Sequence, residues 1–178
     1  GPTEINRQTG VGINMVFRVL NVLVEHGYLR RNDSGLYTLK SKLLTMGMKL
    51  LPRFDLRNTA MPYLQELSRQ TSETVQIQIP DGDSMLLLTS LYPPKDYYLT
   101  VLPGVRLRYH GNAFGKAVMA FMEKEELNTL LDRPLEKITP FTETDKKKIL
   151  SELKTVRKTL IAEEWEEYIL GGYCIGAP

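Results

Sequence analysis

The first forty residues constrain this chain most, because they set two apolar-periodic helical stretches around a glycine turn and follow them with a basic hairpin pattern. The first stretch, Thr3 to Gln8, has Thr3 as its candidate N-cap and stops at Thr9-Gly10. The second runs from Asn14 to His26. Asn14 is its candidate cap, since a short side-chain acceptor satisfies amides that the first turn leaves unpaired, and Gly27 is its left-handed stop. Within it Val16, Val19, Leu20, Leu23 and Val24 recur at helical spacing and predict one buried stripe, whereas Met15, Phe17, Arg18 and Glu25 look elsewhere. Tyr28-Leu29-Arg30-Arg31, the turn Asn32-Asp33-Ser34-Gly35 and Leu36-Tyr37-Thr38-Leu39 then read as two short strands. Two helices joined by a short Gly-containing turn make a helix-turn-helix candidate, and a hairpin after the second helix is placed as a wing. The pattern predicts a DNA-reading head, although helix pairs of this kind also occur in proteins that never touch nucleic acid.

Charge distribution favours the first alternative. The whole chain carries 23 Lys and Arg against 21 Asp and Glu, a net of +2 that implies nothing about partners. Divided after Arg57, the N-terminal part has nine basic and four acidic residues, and the remainder has fourteen against seventeen. The basic excess is confined to the suspected head, which suits a nucleic-acid module joined to a second domain that binds something else.

The residues also resemble a known family. Thr3-Glu4-Ile5, Thr9-Gly10-Val11, the run from Phe17 to Arg31 and Gly35-Leu36-Tyr37-Thr38-Leu39 resemble the winged helix of IclR-type bacterial transcriptional regulators. His110-Gly111-Asn112-Ala113-Phe114-Gly115-Lys116-Ala117 is similar to that family's H-x-x-x-x-G-K-A segment, and the run from Glu166 to Pro178 to its E-E-x-x-x-G-x-x-C-x-A-x-P segment. Family members usually have one more helix before Thr3 and further strands and a helix after Pro178, so the chain is expected to be the retained part of a longer protein. Met15 and Ile13 stand where relatives often have hydroxyl or polar residues, so operator sequence cannot be borrowed from them.

The resemblance implies an α+β chain in three parts. Residues 1–40 are a winged helix-turn-helix without its first helix, 41–54 a linker helix, and 55–178 a GAF-like effector domain without its C-terminal part, an antiparallel sheet with flanking helices. In the DNA head, Asn14, Met15, Phe17 and Arg18 are expected at the major groove and Arg30 and Arg31 on the phosphate backbone. Capping would occupy the Asn14 side chain, and Arg18 is open between a base edge and a phosphate. In similar regulators the amides at positions matching Ala113 and Phe114 hold a small effector carboxylate, and a helix N-terminus favours such an anion. By the same matching, Glu164 accepts from an effector hydroxyl, Cys174 reaches the pocket and Leu99 lines its wall. The plainer alternatives are that Glu163, Glu164, Glu166 and Glu167 form a solvated acidic patch and that Cys174 is a small buried apolar residue. Residues 40–54 are unusually apolar for a linker, with Leu43, Leu44, Met46, Met48 and Leu50. That segment either packs on its own domains or pairs two heads in a homodimer, with a dimer of dimers open, and a two-fold axis then implies a palindromic double-stranded operator.

In the second domain, periodicity predicts helices over 56–70, 113–122, 124–131 and 144–159 and strands over 74–80, 85–92 and 97–102. With 178 residues and 42% hydrophobic content the chain can bury a real core in one or two domains. It has no uninterrupted run of ~18 apolar residues. Its N-terminus is not signal-like, and its single cysteine rules out an intrachain disulfide, so a cytoplasmic location is expected. No cofactor or metal is expected either. Gly10-Val11-Gly12 lacks the third glycine of a dinucleotide fingerprint and follows a helix. His110, Cys174 and Glu164 are suitable zinc-ligand types without a local ligand motif, and nothing in the spacing of Cys174 and His110 supports a catalytic pair. The remaining alternative to a regulator is a ligand-sensing or dimerisation module without specific DNA binding.

Overall fold

The computed structural model describes residues 1–50, 55–94 and 100–178. The chain divides into two compact units, Gly1–Asn58 and Thr59–Pro178.

In the first unit, α1 (Pro2–Thr9) and α2 (Ile13–Glu25) are followed by β1 (Leu29–Arg31), β2 (Tyr37–Leu39) and α3 (Ser41–Leu50). Proline fits the first helical position because its missing amide would have no partner there, so α1 starts at Pro2 and Thr3 lies inside the helix rather than capping it. The Asn14 cap is likewise corrected. Gly12 is the extended cap residue of α2, with φ −52° and ψ 137°, and its carbonyl accepts the amides of Met15 and Val16 at 2.9 and 3.1 Å. Both helices stop where expected, with Gly10 and Gly27 in left-handed conformations at φ 69° and 74°. Val16, Leu20 and Leu29 form the core of this unit, with Ile5, Leu23, Val24 and Tyr37 packed on it. Val19, assigned to the buried stripe, is 49% exposed, because at 3.6 residues per turn it falls at the edge of the face that Val16, Leu20 and Leu23 share. The hairpin is antiparallel, with Leu29 opposite Leu39 and Arg31 opposite Tyr37.

Helix α4 (Asp55–Thr71), with Pro62 inside it, leads into the second unit. A three-stranded antiparallel sheet follows, in the order β3 (Val75–Asp81), β4 (Ser84–Leu91), β5 (Arg106–Arg108). Helices α5 (Ala113–Met119), α6 (Lys124–Leu131) and α7 (Lys146–Thr159) come next, then a separate antiparallel pair, β6 (Ala162–Trp165) and β7 (Tyr173–Gly176). The strand expected over 97–102 is not found in its described part. Residues 97–99 lie outside the described residues, and Thr100 to Leu102 form no strand. The partner of β4 is instead β5, after the Pro103-Gly104 break, with Met85 opposite Leu107. Residues 51–54 of the expected linker helix also lie outside the described residues.

Alternation on β4 and β5 turns Met85, Leu87, Leu107 and Tyr109 inward, where α5, α6 and α7 cover them with Ala113, Ala117, Leu127, Leu131, Ile149 and Leu153. Burying each of the larger aliphatic side chains contributes about 1.5–3 kcal/mol. Asp145 caps α7, its Oδ1 accepting the amides of Lys147 and Lys148 at 2.7 and 3.4 Å. The mixed helix and sheet composition agrees with the α+β expectation.

Candidate nucleic-acid interface and candidate effector site

With Val16 and Leu20 buried, α2 turns Asn14, Met15, Phe17 and Arg18 outward, all of them exposed. Because Gly12 takes the cap position, the carboxamide of Asn14 is not spent on the helix end. These four residues therefore share the N-terminal half of one helix, the part that meets base edges when such a helix enters a groove.

Arg30 and Arg31 are both exposed but differ in orientation, since successive strand residues point to opposite faces. Arg31 lies opposite Tyr37 with its guanidinium carbon 5.8 Å from the ring centroid, on the face that Leu29 uses for the core. Arg30, opposite Thr38, looks the other way. At the far end of α2, the His26 carbonyl accepts from Lys42 Nζ at 2.7 Å, and the Lys42 ammonium sits 4.4 Å from the Tyr28 ring centroid, fastening α3 to the helix end.

Four of the five expected effector residues come together in the second unit; Leu99 lies outside the described residues. Helix α5 packs against β6 and β7, and Gly176 makes this possible. A Cβ there would lie 2.6 Å from the Ala113 carbonyl oxygen and 2.8 Å from the Phe114 nitrogen, so only glycine lets β7 close on the first turn of α5. Ala113 is fully buried, with Phe114 and Cys174 partly buried on the same core. Asn112 caps the helix. Its side-chain oxygen accepts the Gly115 amide at 2.9 Å and its amide donates to the Arg108 carbonyl at 2.6 Å.

Glu164 stands opposite Cys174 across the β6–β7 pair and is only 2% exposed. Its Oε1 accepts the Tyr168 amide at 3.0 Å. Burial, followed by the charge and hydrogen bond of Glu164, pushes the Cys174 thiol up to about 12, which makes it a poor nucleophile at neutral pH. His110 is buried with Nε2 2.8 Å from the Glu136 carbonyl oxygen. Among the described residues no group of three or more His, Cys, Asp or Glu side chains is placed to hold a metal ion.

The acidic run is not a uniformly solvated patch. Glu163 and Glu164 belong to β6, so the strand's alternation exposes one and buries the other. Glu166 accepts the Gly171 amide at 2.6 Å. Glu167 is 8% exposed and paired with Lys116, itself 2% exposed. Glu152 is the second partner of Lys116, at 2.9 Å. Burial opposes the charge of this ammonium, but the hydrogen bonds to Glu167 and Glu152 outweigh it and hold its pKa above the usual lysine value. The Glu167 carbonyl accepts from Thr142 at 2.6 Å and its Oε2 accepts the Glu143 amide at 3.0 Å. This network had no assigned role in the motif reading, although both ends lie in the two motif blocks. Its signal was the helical spacing of Ala113, Lys116, Ala117 and Ala120, which puts the lysine on the buried face of α5.

A cleft of about 230 Å³ opens elsewhere in the unit, lined by Asp83, Arg108, His110, Arg133 and Glu136 among others, and none of the expected effector residues lines it. Among the described residues no helix is long and apolar enough to cross a membrane.

Comparison with known proteins matches this division of labour. Residues 1–33 match the IclR helix-turn-helix domain, and residues 48–178 match the bacterial transcriptional regulator IclR C-terminal domain. The HTH-type transcriptional regulator XynR of Escherichia coli is 30% identical over 178 residues, covering 99% of this chain and 71% of that protein. The solved structure of a transcriptional regulator from Alicyclobacillus acidocaldarius superposes with a TM-score of 0.86 at 25% identity, over 99% of this chain and 72% of that one. An IclR homolog from Microbacterium hydrocarbonoxydans, solved in complex with 4-hydroxybenzoate, has the same fold, with a TM-score of 0.83 at 20% identity over 99% of this chain and 74% of that one. The chain thus spans less than three quarters of each of these proteins. Matched in both units, from the helix pair α1 and α2 to the strand pair that carries Glu164 and Cys174, the chain belongs to the IclR family of bacterial transcriptional regulators.

Proposed function

We propose that this regulator binds a palindromic operator as a homodimer and answers to a small carboxylate effector held in its second unit. In this reading residues 1–40 are a winged helix-turn-helix, 41–54 a linker helix and 55–178 a GAF-like effector domain. Asn14, Met15, Phe17 and Arg18 enter the major groove, and the hairpin sets Arg30 and Arg31 against phosphates. The exposed apolar side chains of α3, Leu43, Leu44, Met46 and Met48, support its role in pairing two copies.

The observation that carries the effector reading is Glu164, a carboxylate 2% exposed beside Cys174 on a strand pair packed against the first turn of α5. Its Oε1 already serves the Tyr168 amide, but a carboxylate has several lone pairs, which leaves capacity for one more donor such as a ligand hydroxyl. Asn112 takes the Gly115 amide, which leaves those of Ala113 and Phe114 for an anion. A ligand with a carboxylate at one end and a hydroxyl at the other suits this pair of acceptor and donors. The 4-hydroxybenzoate bound by the Microbacterium homolog has those two groups. Such a ligand changes the arrangement of two heads only through different affinity for the alternative arrangements.

Isothermal titration of small hydroxycarboxylates, 4-hydroxybenzoate included, tests the reading. A ligand found this way should bind Glu164→Gln about ten-fold more weakly, the loss of one charge-assisted hydrogen bond, while DNA affinity without ligand stays unchanged. An unaltered binding curve removes Glu164 from the site.

A further inference from the structure

Helix α2 carries a polar column that the expected contact residues do not exhaust. Asn14, Arg18 and Asn21 stand at i, i+4 and i+7, opposite the buried Val16 and Leu20. At 3.6 residues per turn all three fall within about 60° of one line along the helix. All three are exposed, and among the described residues none of their side chains makes a hydrogen bond or ion pair. Asn21 is the unexpected member. Asparagine is a poor choice in a helix interior, because its carboxamide competes for backbone groups, and in the third turn of α2 it has no helix start to cap. Its place is explained if the carboxamide has a partner outside the chain.

A recognition helix in a major groove offers base edges its residues at i, i+3, i+4 and i+7. Counted from Asn14, these are Phe17, Arg18 and Asn21. On the other side of Arg18 the helix exposes Met15 and Val22, at 47% and 46%. Resting on the DNA-binding reading above, we infer that Asn21 is a base-reading residue that recognises an adenine in each operator half-site, beside a guanine read by Arg18. Asparagine matches adenine bidentately through N6 and N7, and arginine matches guanine through O6 and N7. Met15 and Val22 provide the apolar surface that thymine methyls need, so A·T pairs border the guanine. Glu25, last in the helix and on the same side, repels phosphates and so ends the DNA-facing column at Asn21.

Selection of randomised duplexes by the full-length protein, followed by anisotropy titrations at several salt concentrations, tests this for the wild type and for Asn21→Ala. Alanine is the best helix former and the site is exposed, so the variant folds. The expected result is a wild-type half-site containing guanine and adenine, and a variant that loses roughly ten-fold or more of its preference at the adenine alone, with an unchanged salt slope. An unchanged motif in the variant overturns the assignment, as does a uniform loss across all sequences, which marks a phosphate contact. A wild-type protein that selects no motif overturns the inference too, and in that case it is the sequence-specific regulator reading itself that has failed.

Discussion

A charged side chain removed from water destabilises the fold unless its partners are complete, and Lys116 meets two carboxylates at once. Replacing Lys116 with Met leaves Glu167 buried without a counter-ion, which should cost about 3 kcal/mol and lower the melting temperature by roughly 6–12 °C. Adding Glu167→Gln should recover part of that loss in the same thermal scan; equal melting of the wild type and Lys116→Met would show that the pair contributes nothing net. The residue scale is also where the sequence was least transparent. Helical spacing places Lys116 among alanines, but it does not name Glu167, which lies 51 positions away and meets it only through tertiary packing. Glu164 shows the same limit. Four glutamates close together look like a hydrophilic run, and only the alternation of β6 separates the exposed Glu163 from the buried Glu164.

Elements were more legible where local chemistry decides them. The two glycines that end α1 and α2 marked those helices, and the β1–β2 hairpin followed from its turn residues. The start of α2 was misread because a backbone glycine, not a side-chain cap, begins it. Strand β5 has its own signal in the apolar and polar alternation of Val105 to Tyr109, but the run at 97–102 offers a competing strand pattern just before it. Geometry within the hairpin separates its arginines, and DNA-binding titrations against salt should detect the difference. Arg30→Ala should flatten the slope of log affinity against log salt by about one. Arg31→Ala should change it less, because its guanidinium already rests over Tyr37. If neither slope moves, the hairpin does not touch the backbone.

For the whole molecule, the basic excess sits in the first unit and the acidic excess in the second, which supports the proposal that nucleic acid and effector address different ends of the sequence. Leu44 and Met48 on α3 are 66% and 58% exposed, more apolar surface than a solitary linker helix needs. Sedimentation equilibrium of the full-length protein should therefore give twice the chain mass or a multiple of it, and footprinting should protect two half-sites about one helical turn apart. A monomer that protects a single half-site would remove α3 from the assembly. The family was readable at this scale because its three blocks occur in order along the chain, and the resemblance named the candidate effector residues, but the packing that brings Ala113, Phe114, Glu164 and Cys174 together arises only once α5, β6 and β7 are folded together. Cys174 is the only thiol in the chain; it is partly buried, and burial together with the Glu164 carboxylate pushes its pKa up to about 12. Alkylation at neutral pH should therefore be slow in the folded unit and speed up when that unit opens, so its acceleration reports the opening, with no other thiol in the chain to run alongside it.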